Sequence, residues 1–265
     1  MGLLETIRVL PVAIALTAIG AGAVGAGECG DLLPEGRVAC GCGDMVVTDT
    51  TLRTGDPIVA RRCPLDGLTV SADPMSESIT LDLGGLSLRG SGAGIGVLVE
   101  HGGADGALIV GAAKGGRAEI VGYGTGLKTR SGGVMRALRR VTVKGSRFEG
   151  VVIRSTGTMV EEVSTTRNGG DGMRFSGRGG RLVEVEAAGN GGFGIRLFAR
   201  DVIVDATVTE NGRHGLANLG SGNDLRELIS RRNQGYGVVL AGSRHKTDGM
   251  VLEQNAMGDV GRHGQ

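Results

Sequence analysis

Large aromatic side chains are nearly missing from this chain: it has no Trp, two Tyr and four Phe, so aromatics make up 2% of its 265 residues. A globular domain with one three-dimensional core usually fills it with such rings, and their shortage points away from that plan. A stack of thin coils needs only small aliphatics inside and a glycine wherever the chain turns sharply. Charge imbalance is lacking too. Lys and Arg number 29 against 28 Asp and Glu, a formal net charge of +1, which makes no electrostatic case for nucleic acid or an anionic membrane as partner. The four histidines, His101, His214, His245 and His263, are too scattered to suggest a metal cluster, and no Ser/His/Asp signature stands out.

Glycine is what the chain has in plenty. There are 52 of them, with no G-x-y period, which excludes collagen. The hydrophobic content of 40% is enough for a real core. Residues 1–26 read as a signal peptide: Arg8 closes a short n-region, an apolar run extends from Val9 to Val24, and Val24-Gly25-Ala26 offers a small-residue cleavage pattern. An uncleaved anchor is the alternative. All four cysteines, Cys29, Cys40, Cys42 and Cys63, follow closely, and an even count in an exported chain implies disulfides. A Cys40–Cys42 ring would be strained, so Cys29 and Cys63 are expected to take one of these each. A copper or zinc site at Cys40-Gly41-Cys42 is the rival reading.

Internal periodicity decides the fold. The pattern Asn, three residues, Gly, then apolar-x-apolar begins at Asn168, Asn190, Asn211 and Asn233, and Asn255 keeps the step. Ser146 stands one step earlier, before Gly150-Val151, and Gly122 stands before Gly126-Leu127. Aligned on this step of about 22 residues, Val151, Met173, Ile195, Leu216 and Val238 form one inward column, and Ile153, Phe175, Leu197, Asn218 and Leu240 another. Five places before each Asn stand Val141, Val163, Val185, Ala206, Leu228 and Met250; eight before stand Leu138, Val160, Leu182, Ile203 and Leu225. The expected fold is all-β: a single-stranded right-handed parallel β-helix over 79–265, behind a cysteine-containing cap region at 27–78. The asparagines and the glycines four places after them read as turn residues, with the Asn amides stacked from coil to coil.

Ile79-Thr80-Leu81-Asp82-Leu83-Gly84-Gly85, Leu86-Ser87-Leu88-Arg89-Gly90 and the later N-x-x-x-G coils resemble bacterial right-handed β-helix proteins of the pectate-lyase-like superfamily. Cys40-Gly41-Cys42-Gly43-Asp44 with Cys63 is similar to the disulfide-bearing start of secreted members. The resemblance implies the fold and a carbohydrate-related setting, since such folds host lyases, hydrolases, epimerases, adhesins and carbohydrate-binding surfaces. The Asp-rich and Gly-His-Gly signatures of polygalacturonase-like members are missing, as is the calcium-and-arginine pattern of pectate lyases.

Three outward rows carry candidate chemistry. Glu162, Glu184, Asp205 and Glu227 form an acidic row, six places before each Asn, whose mutual repulsion a Ca²⁺ ion or a cationic ligand would relieve. Arg174 and Arg196 stack between the inward residues of a strand, with Arg154 nearby, as a fork for sugar carboxylates or sulfates. Three places after each Asn come Glu149, Asp171, Phe193, His214 and Tyr236. Asp171 joins the ligand-binding candidates, and Arg196, His214 and Tyr236 form a candidate set for β-elimination on a uronate. The expected function is an exported protein, secreted, periplasmic or on the cell surface, that engages polysaccharide along a lateral face. A polysaccharide lyase or other carbohydrate-active enzyme, and a structural or adhesive protein, are the alternatives.

Overall fold

The structure, a computed structural model, describes residues 27–31, 36–73 and 75–262; the signal segment read at 1–26 and His263 lie outside the described residues. The coils stack into three parallel faces, here called the first, second and third sheets; the second and third join through Arg178–Ala188 into one fifteen-stranded sheet. The first sheet has eleven strands: Glu28–Cys29, Met45–Val46, Leu68–Ser71, Ile95–His101, Thr125–Thr129, Val151–Arg154, Met173–Ser176, Ile195–Leu197, Leu216–Asn218, Val238–Leu240 and Val260–Arg262. In the middle of the stack, Met135–Arg139 and Met159–Glu161 lie on the second sheet, and Val141–Lys144 and Ser164–Thr166 on the third. The later strands Arg178–Ala188, Arg200–Thr209 and Asp224–Arg231 run through the corner between these two sheets. Val151, Met173, Ile195, Leu216 and Val238 are paired in register and fully buried, as the repeat predicts.

The asparagines form a buried ladder. The backbone N–H and side-chain Nδ2 of Asn190 both donate to Oδ1 of Asn211, at 3.1 and 3.0 Å, and Nδ2 also donates to the Thr165 carbonyl. The same pattern joins Asn168 to Asn190, Asn211 to Asn233, and Asn233 to Asn255. Their backbone differs from the expectation. The left-handed residue is the one before each Asn, and before Ser146 in the same column: Gly145, Arg167, Gly189, Glu210, Arg232 and Gln254 have φ between 51° and 65°. This turn aims the following side chain inward.

The glycines four places after Asn also differ from the turn reading: none has positive φ. They are there for closeness. A Cβ on Gly194 would lie 2.6 Å from the Gly215 carbonyl oxygen and 2.7 Å from Asn211 Nδ2. The column runs further upstream than the Asn repeat, through Gly126, Gly96 and Gly67, each facing the next coil's carbonyl in the same way. Above Ser146 the ladder position passes to Tyr123, one residue from the expected Gly122; Gly122 is instead the left-handed residue, with φ 68°. Tyr123 is fully buried against Gly90 and Gly96, and its hydroxyl meets no partner.

One coil departs from the column alignment. Between Asn190 and Asn211 the step is 21 residues, and the lost residue falls at the corner between the second and third sheets. Leu182 pairs with Val204 and Val185 with Ala206, so Val204, rather than Ile203, points inward. Asp205 bridges the corner alone, with no left-handed residue, whereas Glu162, Glu184 and Glu227 occupy left-handed corners at φ 53°, 52° and 48°.

The region 27–78, expected as a cap, shares these sheets: Leu68–Ser71 pairs with Ile95–His101, and Met45–Val46 pairs with Leu68–Ser71. Disulfides join Cys29 to Cys40 and Cys42 to Cys63, which leaves no free cysteine for the metal reading of Cys40-Gly41-Cys42. A one-turn helix, Pro57–Ala60, turns Ile58 into the core. Just before it, Asp56 is fully buried and accepts bonds from the Arg37 guanidinium and from the backbone N–H groups of Cys40 and Arg53. Burial pushes its carboxyl up, but Arg37 and the two amides outweigh burial and hold it below the usual carboxylate range.

The ladder and the buried hydroxyl make opposite forecasts. Asn211→Ala leaves Asn190 donors unpaired in the core and should destabilise by about 1–3 kcal/mol in urea unfolding. Tyr123→Phe removes a group without a partner and should leave stability unchanged or raised. A ladder variant as stable as the parent would contradict this account.

Asp56 binds fewer protons folded than unfolded, so its contribution is present above the carboxyl's ordinary value and lost as pH falls through the lower folded value. The urea midpoint should therefore drop between about pH 6 and about pH 3 more in the parent than in Asp56→Asn.

Candidate functional site

The outward row of the first sheet pairs Lys128 with Val152, then Arg174, Arg196, Ala217 and Val239. Arg174 and Arg196 are thus opposed on neighbouring rungs, as the repeat predicts. Arg154 lies at the strand end, exposed and in register with Ser176. Phe198 follows in that column and is 40% exposed. The guanidinium of Arg174 sits 5.0 Å above its ring and that of Arg196 5.9 Å, a stacking that relieves part of the repulsion between the two cations.

Beside this row runs a second one, at the turn entering the first sheet. Phe193, His214 and Tyr236 stack on successive coils, with ring centroids 5.3 and 5.5 Å apart. Arg196 lies 4.1 Å from the Phe193 centroid, and Arg213 lies 5.7 Å from it. Asp171, 9% exposed at its side chain, is ion-paired to Arg196 at 3.2 Å, and its Oδ1 accepts the Phe193 N–H at 3.0 Å. Asp171 therefore positions Arg196 and the aromatic stack; both of its oxygens are engaged within the protein.

His214 repeats the Asp171 contact one coil later: its Nδ1 accepts the Tyr236 N–H at 2.8 Å. A nitrogen that accepts a bond carries no proton, so the neutral ring holds its proton on Nε2. Burial, and secondarily the Arg213 charge, push its pKa down, which favours the neutral form over the cation. The three residues read as a β-elimination set are brought only partly together. His214 and Tyr236 are neighbours as expected, but Arg196 is turned to Asp171 and Phe193. With Nδ1 engaged and Nε2 protonated, His214 offers no free lone pair to act as base.

The acidic row lies elsewhere, at the corner between the second and third sheets: Glu162 stands between strands, whereas Glu184, Asp205 and Glu227 lie within the long strands that run through that corner. Asp205, beside Glu184 and Glu186 around a shallow groove, has its carboxyl pushed up by burial and then by Glu227. Among the described residues no group of three or more His, Cys, Asp or Glu is placed to hold a metal ion, so Glu162, Glu184, Asp205 and Glu227 do not converge as the Ca²⁺ reading requires. His245 is bonded to Asn218 and to the Ala241 carbonyl, which satisfies the buried amide in the Leu197 column. Phe198 and Arg213 escape the sequence reading. Two phenylalanines within six residues of so aromatic-poor a chain were the available signal.

A family model described as right handed beta helix region matches residues 127–261. No curated protein matches the chain. Among solved structures, the chain is similar to the enzymatically active domain of tailspike protein 2 of bacteriophage CBA120, with 14% identity over 83% of this chain and 42% of that one and a TM-score of 0.54. It is also similar to the A-module of Azotobacter vinelandii mannuronan C-5 epimerase AlgE4 (15% identity, 81% and 70% covered, TM-score 0.46). Pectate lyase Pel9A is a third (14% identity, 91% and 69% covered, TM-score 0.47). The chain spans less than half of the tailspike domain, and at such identities the likeness is one of fold. Among the described residues, no helix is long and apolar enough to cross a membrane.

The His214 geometry is open to direct measurement. Nitrogen-15 NMR should show the proton on Nε2 and a titration midpoint below the ordinary 6.5. Arg213→Ala removes a positive neighbour and should raise that midpoint. A proton found on Nδ1 would restore the ring as a candidate base.

Proposed function

This chain belongs to the right-handed β-helix family, and we propose that it uses the outer face of its first sheet to bind an anionic polysaccharide. The observation that carries the reading is the opposed pair Arg174 and Arg196, stacked on exposed Phe198 and flanked by Arg154 and the Phe193, His214 and Tyr236 ladder. Guanidinium groups bind carboxylate or sulfate in bidentate fashion, and ring edges and faces offer apolar contact to the C–H face of a sugar. Strand pairing repeats these groups about every 4.8 Å along the solenoid, a spacing that suits a linear polymer. Two disulfides accord with an oxidising compartment, so export to the periplasm, the cell surface or the medium belongs to the same proposal.

Binding rather than bond cleavage is the better fit. His214 lacks an available base nitrogen, and the Arg196 charge already answers Asp171. Arg196 is also a poor residue for a clean test. Its side chain is 22% exposed, and its loss would strand the Asp171 carboxylate, so Arg196→Ala should destabilise beyond the few tenths of a kcal/mol, roughly, of an exposed arginine.

Arg154 and Arg174 are the informative pair. Arg154→Ala with Arg174→Ala should weaken binding of a polyuronate or a sulfated glycan by about tenfold or more, with thermal unfolding little changed. Binding by the parent should fall as salt rises, since exposed charges are screened over about 10 Å at 0.1 M. A glycan panel read by calorimetry, with product analysis for unsaturated sugars, checks this. Equal binding of neutral and anionic glycans would refute it, and no binding at all would favour a structural or adhesive protein.

A further inference from the structure

A second gathering of arginines lies just off the proposed binding face, where the chain leaves the first sheet for the second. Each coil there carries a left-handed residue at one aligned position: Gly157, Gly179, Asp201, Gly222 and Arg244, with φ of 71°, 56°, 56°, 69° and 59°; Gly177 and Gly242 add a second positive φ in their turns. Backbone bonds stack them, from Gly157 N–H to the Gly179 carbonyl, from Asp201 N–H to that of Ser221, and from Gly222 N–H to that of Ser243. The residues just before form a parallel row: Arg178 pairs with Arg200, and Arg200 bridges to Ser221. Arg178 and Arg200 are therefore like charges directly opposed on neighbouring rungs, an arrangement that destabilises a sheet.

These side chains surround a cleft of about 450 Å³, lined by Arg178, Arg200, Asp201, Ser221, Gly222 and Arg244. Its charge is uneven. Arg178 Nε donates to Asp201 Oδ2 at 3.2 Å, and among the described residues neither Arg200 nor Arg244 has a carboxylate partner. At Gly222 a Cβ would lie 2.6 Å from Asp201 Oδ1, so the glycine leaves room for that carboxylate at the cleft. Ser221 lines the same cleft; its hydroxyl oxygen accepts the Ser243 N–H at 3.4 Å, which leaves its own proton to donate.

We infer that this cleft is an oxyanion subsite that takes a sulfate, phosphate or carboxylate group of the polymer lying on the first sheet. It adjoins that face: Phe198, under Arg174 and Arg196, is separated from Arg200 only by Ala199, which is turned into the core. The inference rests on the polysaccharide reading and adds a direction to it. A chain gripped at both places crosses the strand ends instead of following the first sheet alone. Two exposed arginines without carboxylate partners, carried on a backbone held by stacked left-handed turns, supply bidentate donors to one tetrahedral or planar anion.

The test uses the full chain and the double variants Arg200→Ala with Arg244→Ala, Arg200→Lys with Arg244→Lys, and Arg154→Ala with Arg174→Ala. Sodium sulfate is titrated at constant ionic strength while the arginine Nε–H resonances are followed. Sulfated, uronate and neutral oligosaccharides are then titrated calorimetrically. Sulfate should shift the Arg200 and Arg244 signals and leave in place that of Arg136, an exposed arginine of the strand Met135–Arg139 that does not line the cleft. The alanine pair at 200 and 244 should lose about tenfold or more in affinity for the anionic oligosaccharide, with the lysine pair in between because it keeps charge but not the fork. Whether sulfated or uronate sugar suffers more identifies the anion. If the 200/244 variant binds like the parent while the 154/174 variant does not, the subsite is overturned and the polysaccharide reading stands. If no oligosaccharide binds, that reading fails, and the sulfate titration alone judges the cleft: unshifted Arg200 and Arg244 signals overturn it.

Discussion

Where the chain enters the first sheet, successive coils approach so closely that no Cβ fits between them. Gly150, Gly172, Gly194, Gly215 and Gly237 each face the next coil's carbonyl oxygen and an asparagine amide at distances a methyl group would violate. The glycine notch and the asparagine ladder are two halves of one device. The notch admits the amide, and the amide satisfies the backbone groups that the turn leaves unpaired. A left-handed residue just before each Asn turns that side chain inward. The requirement for positive φ is met even by Arg167, Glu210, Arg232 and Gln254, whose charged or polar side chains then point to solvent.

From that seam the remaining geometry follows. Stacking held in register at one turn keeps the three sheets in register, so outward residues fall into rows and inward residues into columns. The core can then be filled by Val, Leu and Ile, and Tyr123 is accommodated only where glycines leave a slot. At the start of the stack, two disulfides and the Asp56 cluster tie the first coils together.

The candidate site inherits the same repetition. One backbone contact, a side chain accepting the next coil's N–H, is made by Asp171 and again by His214. In the first case it positions an arginine; in the second it fixes a tautomer and occupies the nitrogen that catalysis would need. The arginines at 154, 174 and 196 lie on the face, and those at 178, 200 and 244 at its edge. The acidic corner residues lie away from both, so a chain of net charge near zero still presents a cationic side.

The fold was legible in the sequence because the repeat is itself the physical requirement. An inward column needs an apolar residue at each step, a ladder needs Asn, and a notch needs Gly, so the steps from Asn168 to Asn255 specify strands, coils and which residues stack. The opposed Arg174 and Arg196 and the His214 and Tyr236 neighbours follow from the same arithmetic. What the repeat leaves open is how a coil absorbs a lost residue and where a long side chain turns. The 21-residue step could have shortened any corner, and only the register of Leu182 with Val204 places the loss and brings Val204 inward in place of Ile203. Arg196 could have faced His214; Asp171, one coil back, draws it away. Spacing along the chain determines rows, whereas contacts between rows depend on side-chain conformations chosen by neighbours distant in sequence, and these only the tertiary structure decides.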